Sequence, residues 1–219
     1  MGLTNYYYYK LFNSDKLRTA HHEAGHMVMA YLFSSHLTFN WLSINKKIIR
    51  NRVNTRDHGM FNFEWNIVPQ PTDIEAADIT TLIALSGMCA QTVYKNSGPL
   101  SPGQIQLFSS QPSYLDRTGG IVDYDEAKAR IGQMAVTIRY ANLYIQKNCI
   151  AYCLSYFSRP EIWKATSFMA KESLKAKNQT LEQSDLALFA KASGLSQYLI
   201  NNANVLLNGR HPITINSFR

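Results

Sequence analysis

The sequence predicts a mainly α-helical domain with a small β element beside its most distinctive helix. Apolar residues recur at helical spacing through most of the chain, in segments opened by capping signals. Only 37–45 and 58–65 alternate as half-buried strands do. At 219 residues, 46% hydrophobic and 17% charged, the chain is globular rather than disordered, and long enough for one domain with an appendage.

The elements follow in order. A first helix is expected from Ser14 or Asp15 to about Ser34, because Leu17, Ala20, Ala24, Met27, Val28, Tyr31 and Leu32 share a helical period. Residues 1–13, with the run Tyr6 to Tyr9, then form an N-terminal extension. Leu37, Phe39, Trp41, Leu42 and Ile44 mark a strand, and 58–65 a second one. The basic segment 46–57 reads as the solvated loop joining them. Thr72 and Glu75 form a capping box for a central helix to about Tyr94. Residues 98–120, rich in proline, glycine and polar side chains, read as a long loop. One helix is expected from Asp123 to about Phe157. Ser158 to Glu161 reads as a capping box opening the next, and Thr180 to Gln183 opens another that ends near Gly194. A last helix over 196–207 precedes an extended tail.

The net charge of +7 permits an acidic partner without requiring one. The basic run Lys46 to Arg56 carries no interleaved aromatic platform, so no nucleic-acid partner is expected. Cys89, Cys149 and Cys153 are too few for a disulfide framework and read as reduced, mostly buried thiols. No apolar run reaches the roughly 18 residues of a membrane span, and no signal peptide is evident. A cytoplasmic location is the expectation.

The distinctive helix carries His22-Glu23-Ala24-Gly25-His26, an H-E-x-x-H pattern. Residues four apart share a helix face, so His22 and His26 can offer imidazole nitrogens to one metal ion, for which Zn²⁺ is the expected choice. A zinc site lowers the pKa of a bound water, and Glu23 stands where it could take the proton as that water attacks a carbonyl. His21 would need a second ligand at position 25, which is Gly25, so it reads as a neighbour of the site. Gly25 costs about 1 kcal/mol relative to alanine in mid-helix, which points to a packing constraint there.

A catalytic zinc wants a third protein ligand, and position 32 is leucine, so the short histidine extension of the motif does not supply it. Here the chain resembles the peptidase domain of the FtsH-type membrane AAA proteases. Thr19 to Val28 is similar to that family's H-E-A-G-H helix, and Leu85 to Gln91 resembles its L-x-G-G-R-A-A-E helix with the Arg and Glu replaced. Thr118 to Ala127 resembles its T-G-A-x-N-D segment, whose aspartate is the third zinc ligand and aligns with Asp123; Asp125 and Glu126 are the competing positions. The resemblance covers about residues 14–193 and leaves 194–219 as a C-terminal helix and tail. It implies a zincin-like helical metallopeptidase.

The chain carries no phosphate-binding loop of the kind that powers the family's ATPase ring. The expectation is therefore a zinc endopeptidase that is ATP-independent by itself, acting on polypeptide that is flexible or delivered by a separate unfoldase or adaptor. The resemblance also implies a homo-oligomer. The strand Gly59, Met60, Phe61, Asn62 and Phe63 is the expected peptide-binding edge. Two alternatives stand beside this reading: a catalytically silent binding or structural module of the same fold, and a zinc hydrolase acting on a small amide.

Overall fold

The computed structural model describes residues 3–53, 59–66, 72–115, 121–138 and 142–208; of 3–14, 121–122 and 137–138 only the backbone is described. The fold is mainly α with one three-stranded antiparallel sheet, in the order β2-β1-β3.

Helix α1 (Leu3–Tyr31) is the axis of the core. Every residue from Ala20 to Ala30 is buried, as befits a helix covered on all sides. It packs along α3 (Asp73–Lys95), whose residues 81–93 are also buried. Gly25 marks the closest approach: a Cβ there would lie 2.6 Å from the Ala90 Cβ and 2.8 Å from the Ser86 carbonyl oxygen. The mid-helix glycine thus lets two backbones meet, which is the constraint its position implied.

Strand β1 (Leu37–Ser43) lies centrally, with β2 (Met60–Trp65) on one side and β3 (Thr180–Glu182) on the other. The β1–β2 register slips between Phe39 and Trp41, leaving Asn40 out of the ladder. The Asn40 amide then donates to Asn62 Oδ1 at 2.8 Å and Glu64 Oε1 at 3.1 Å, tying β2 to its neighbour. Beyond β2 no further strand pairs among the described residues, so β2 is a sheet edge.

Around α3 pack α5 (Ile121–Ile138) and α6 (Asn142–Phe157), while α7 (Pro160–Lys175) covers α1. Helices α8 (Gln183–Ala192) and α9 (Leu195–Asn208) close the far end. Leu195, Leu199 and Leu206 of α9 join the same buried cluster as the rest of the chain. The 23-residue α3 is apolar enough to span a bilayer by composition, although no single run suggested it. Its apolar surface is instead spent on α1, α5 and α6.

Several local expectations need correction. The backbone of α1 is helical from Leu3, so the first helix begins there rather than at Ser14 or Asp15. Lys46–Val53 is a helix, α2, not a loop. Asn45 Oδ1 accepts from the backbone of Lys47 at 3.1 Å and Ile48 at 3.4 Å, and Ile49 alone is fully buried. Its charged face reads as solvated because it is. Residues 98–115 contain α4 (Pro102–Ser110), started by a reciprocal Ser101–Gln104 capping box with proline at the first position. The single helix expected over 123–157 is two, α5 and α6. Ser158 does not cap α7; its Oγ accepts instead from the Leu100 backbone N–H at 3.1 Å. Thr180 belongs to β3, pulled there by pairing with β1 and by a 2.8 Å hydroxyl bond between Ser43 and Thr180, and Glu182 with Asp185 caps α8. The proposed tail beyond 208 lies outside the described residues.

Candidate metal centre

Helix α1 projects His22 and His26 toward α3 and the first turn of α5, which carries Asp123. His22 Nε2 lies 2.9 Å from Asp123 Oδ2, and His26 Nε2 lies 3.4 Å from the same oxygen. Ligand atoms about 2.0–2.1 Å from a tetrahedral zinc would be roughly 3.3 Å apart, so this spacing suits one small ion. The three residues form a group that could hold a metal.

The far side of each imidazole is fixed by α3. His26 Nδ1 lies 2.7 Å from the Ile83 carbonyl oxygen, which can only accept, so the ring donates from Nδ1 and leaves Nε2 facing Asp123. His22 Nδ1 donates likewise to Gln91 Oε1 at 3.0 Å. Both rings therefore present the same nitrogen to the same point, in the arrangement of partners that orients metal-bound histidines. Gly87 lies beneath them. A Cβ there would come within 2.5 Å of His26 Nε2 and 2.6 Å of His22 Nε2, so the helix face under the two imidazoles must be bare.

The electrostatics match. Burial disfavours a charged His26, but Asp123 and Glu23 outweigh it and raise its pKa to about 9. Burial likewise opposes ionisation of Asp123, yet His26 and His22 hold its carboxyl well below the usual carboxylate range. A cation and a proton thus compete for His26 Nε2, and acid favours the proton.

His21 is elsewhere. Burial lowers its pKa to about 4, its Nδ1 donates to the Leu17 carbonyl at 2.8 Å, and its ring stacks on Tyr94 at 4.2 Å and on Trp163. It packs against Tyr94 of α3 and Trp163 of α7, outside the His22–His26–Asp123 group. Of the competing carboxylates, Asp125 is exposed and pairs with Lys128 at 3.1 Å, while Glu126 reaches the cleft wall and pairs with Arg130 at 3.7 Å. Among the described residues, Asp123 is the carboxylate that joins the two histidines.

Glu23, 5% exposed, opens with His26 and Asp123 onto a cleft of about 340 Å³. Gly59 and the leading end of edge strand β2 (Met60, Phe61, Asn62 and Phe63) line it too, as do Thr80, Ile83 and Ala84 of α3. All the site residues anticipated from sequence therefore border one group or one cleft.

No protein-family model matches this chain, and no curated protein matches it either.

Gln91 and Gly87 escaped the sequence reading as parts of the site. Gln91 closes the segment Leu85 to Gln91, and its amide oxygen accepts from His22 as a carboxylate oxygen would. Replacing Gln91 by Leu strands a buried N–H, and metal affinity is expected to fall about 10- to 100-fold with the fold retained. Competition against a chromophoric chelator measures it; unchanged affinity would remove Gln91 from the site.

Proposed function

We propose that this chain is a zinc-dependent endopeptidase of the kind found in FtsH-type peptidase domains, acting on extended polypeptide. One observation carries the reading: the His22–His26–Asp123 group reaches, through His26 and Asp123, a cleft that the Glu23 carboxylate and the edge strand β2 also line. Two imidazoles and a carboxylate are a donor set that suits Zn²⁺ and leaves a position open. Bound there, the ion would supply a Lewis acid and a water of lowered pKa.

The rest falls to the chain's own residues. The edge of β2 offers backbone groups to a substrate running as an additional strand, which fixes a peptide bond across the cleft. Phe61 and Phe63 supply apolar surface along that path. Glu23, walled in by α1 and the start of β2, takes the proton of the attacking water and passes it to the departing amine. His22 and His26 cannot take that role, because α3 holds their Nδ1 protons and Nε2 faces Asp123.

The first experiment is elemental mass spectrometry of the purified protein, followed by hydrolysis of unfolded casein with and without chelator. About one zinc per chain, with cleavage lost on chelation and restored by Zn²⁺, is the expected result. A protein that binds no zinc after reconstitution sinks the proposal. Zinc binding with cleavage of short acyl-amides but never of casein or peptides would shift it to a small-amide hydrolase.

A further inference from the structure

We infer that Gly59 is a positioning residue for Glu23: it lacks a side chain because the Glu23 carboxylate occupies the place a Cβ would take. The inference rests on the base role proposed for Glu23. A Cβ built on Gly59 would lie 2.5 Å from Glu23 Oε1, 2.7 Å from its Cγ and 2.8 Å from its Cδ, and these are its three nearest atoms. All belong to one side chain. The glycine is not needed for its backbone, since its φ lies outside the left-handed region, unlike Gly98 at +126° and Gly194 at +82°. Space is what it provides.

The strand behind Gly59 resists moving away. Met60, its neighbour, pairs with Ser43 of β1, and the Asn40 amide grips Asn62 and Glu64. Glu23 sits on α1, whose buried length is fixed against α3. Of the two parts, the end of the glutamate side chain is the easier to displace, because it turns about single bonds while the strand and helix do not. A methyl at position 59 therefore pushes the carboxylate out of line and leaves the metal ligands alone. Gly87 differs in this respect, because its bare face lies against the ligand nitrogens themselves.

The test is Gly59→Ala, alone and combined with Glu23→Gln or Glu23→Asp, read by crystal structure, metal content and peptide hydrolysis. Alone, Gly59→Ala is expected to rotate the Glu23 carboxylate, keep about one metal per chain, and lower kcat roughly 10²-fold with little change in KM. In the Glu23→Gln background it should lower kcat no further, because the group it acts through is already disabled. In Glu23→Asp, where the acid is shorter by one methylene, the methyl should be accommodated even if Gly59→Ala alone folds poorly. A Glu23 carboxylate unmoved in Gly59→Ala overturns the inference, as do a change confined to KM, an additive loss beside Glu23→Gln, or misfolding that persists with Glu23→Asp. If the wild-type protein cleaves no peptide, the proposed function fails, and the crystal structure of Gly59→Ala still decides whether Gly59 sets the position of Glu23.

Discussion

Glu23→Gln is expected to lower kcat/KM for peptide hydrolysis by roughly 10³-fold while leaving the metal in place. Glutamine keeps the length and volume of the side chain, so the contact with the start of β2 and the burial at the cleft wall persist. What it removes is the ability to accept a proton. Positioned proton transfer is worth about 10²–10⁴-fold, and a 10³-fold loss corresponds to about 4 kcal/mol of transition-state stabilisation. His22, His26 and Asp123 are untouched, so metal content should match the wild type. Steady-state hydrolysis of a fluorogenic peptide, with zinc measured on the same preparation, reads both quantities. A loss of only a few-fold would mean that another group accepts the proton. Glu126, the remaining carboxylate on the cleft wall, would then be the residue to replace. An equal loss of metal and activity would mean that Glu23 holds the centre together rather than serving as its base.

The parts of this site that sequence revealed are the parts set by local geometry. Histidines four apart on a helix share a face whatever surrounds them, so His22, Glu23 and His26 announce themselves. Asp123 stands 97 positions beyond His26 and reaches it only because α5 packs on α3 and α3 on α1. No periodicity encodes that meeting, and the resemblance of Thr118 to Ala127 was the only route to it. The structure places Asp123, rather than Asp125, against the imidazoles because its side chain turns inward from the first helical turn. Gln91 and Gly87 were invisible for a related reason. Both lie on a helix apolar enough to read as plain core, and their roles depend on the partner helix crossing at Gly25. The fold divides the same way. The two longer strands and the central helix declared themselves by period and cap. Strand β3 is three residues long, too short to show alternation, and exists because β1 has a second edge to satisfy. Helix α4 did carry its signal, the Ser101–Gln104 box, but the surrounding density of proline, glycine and serine masked it. The single helix expected over 123–157 failed because continuous helical composition does not reveal where a chain turns back.

Gly87→Ala is expected to abolish tight metal binding, with an affinity loss of at least about 10²-fold, in a protein that still folds. Losing one orienting partner of a metal-bound histidine costs about 10–100-fold, and the added methyl disturbs both histidines at once. It would stand 2.5 Å from His26 Nε2 and 2.6 Å from His26 Cε1 and His22 Nε2, closer than any non-bonded contact allows. The rings have little room to yield. Turning either one breaks its Nδ1 bond, to Ile83 in one case and Gln91 in the other, and strands a buried N–H. Nor can α3 withdraw from α1 without opening the contact that Gly25 makes with Ala90 and Ser86. Overpacking of this kind costs about 1–3 kcal/mol, and replacing a mid-helix glycine by alanine returns about 1 kcal/mol of helix propensity. The net loss of stability should therefore be small beside the loss of metal. Calorimetric titration with Zn²⁺ and a thermal melt of the metal-free protein separate the two effects. If Gly87→Ala binds zinc as tightly as the wild type, the ion does not sit at the Nε2 face of these histidines. The convergence of His22, His26 and Asp123 would then be a buried ion pair that stabilises the helix crossing, and the peptidase reading would lose its centre.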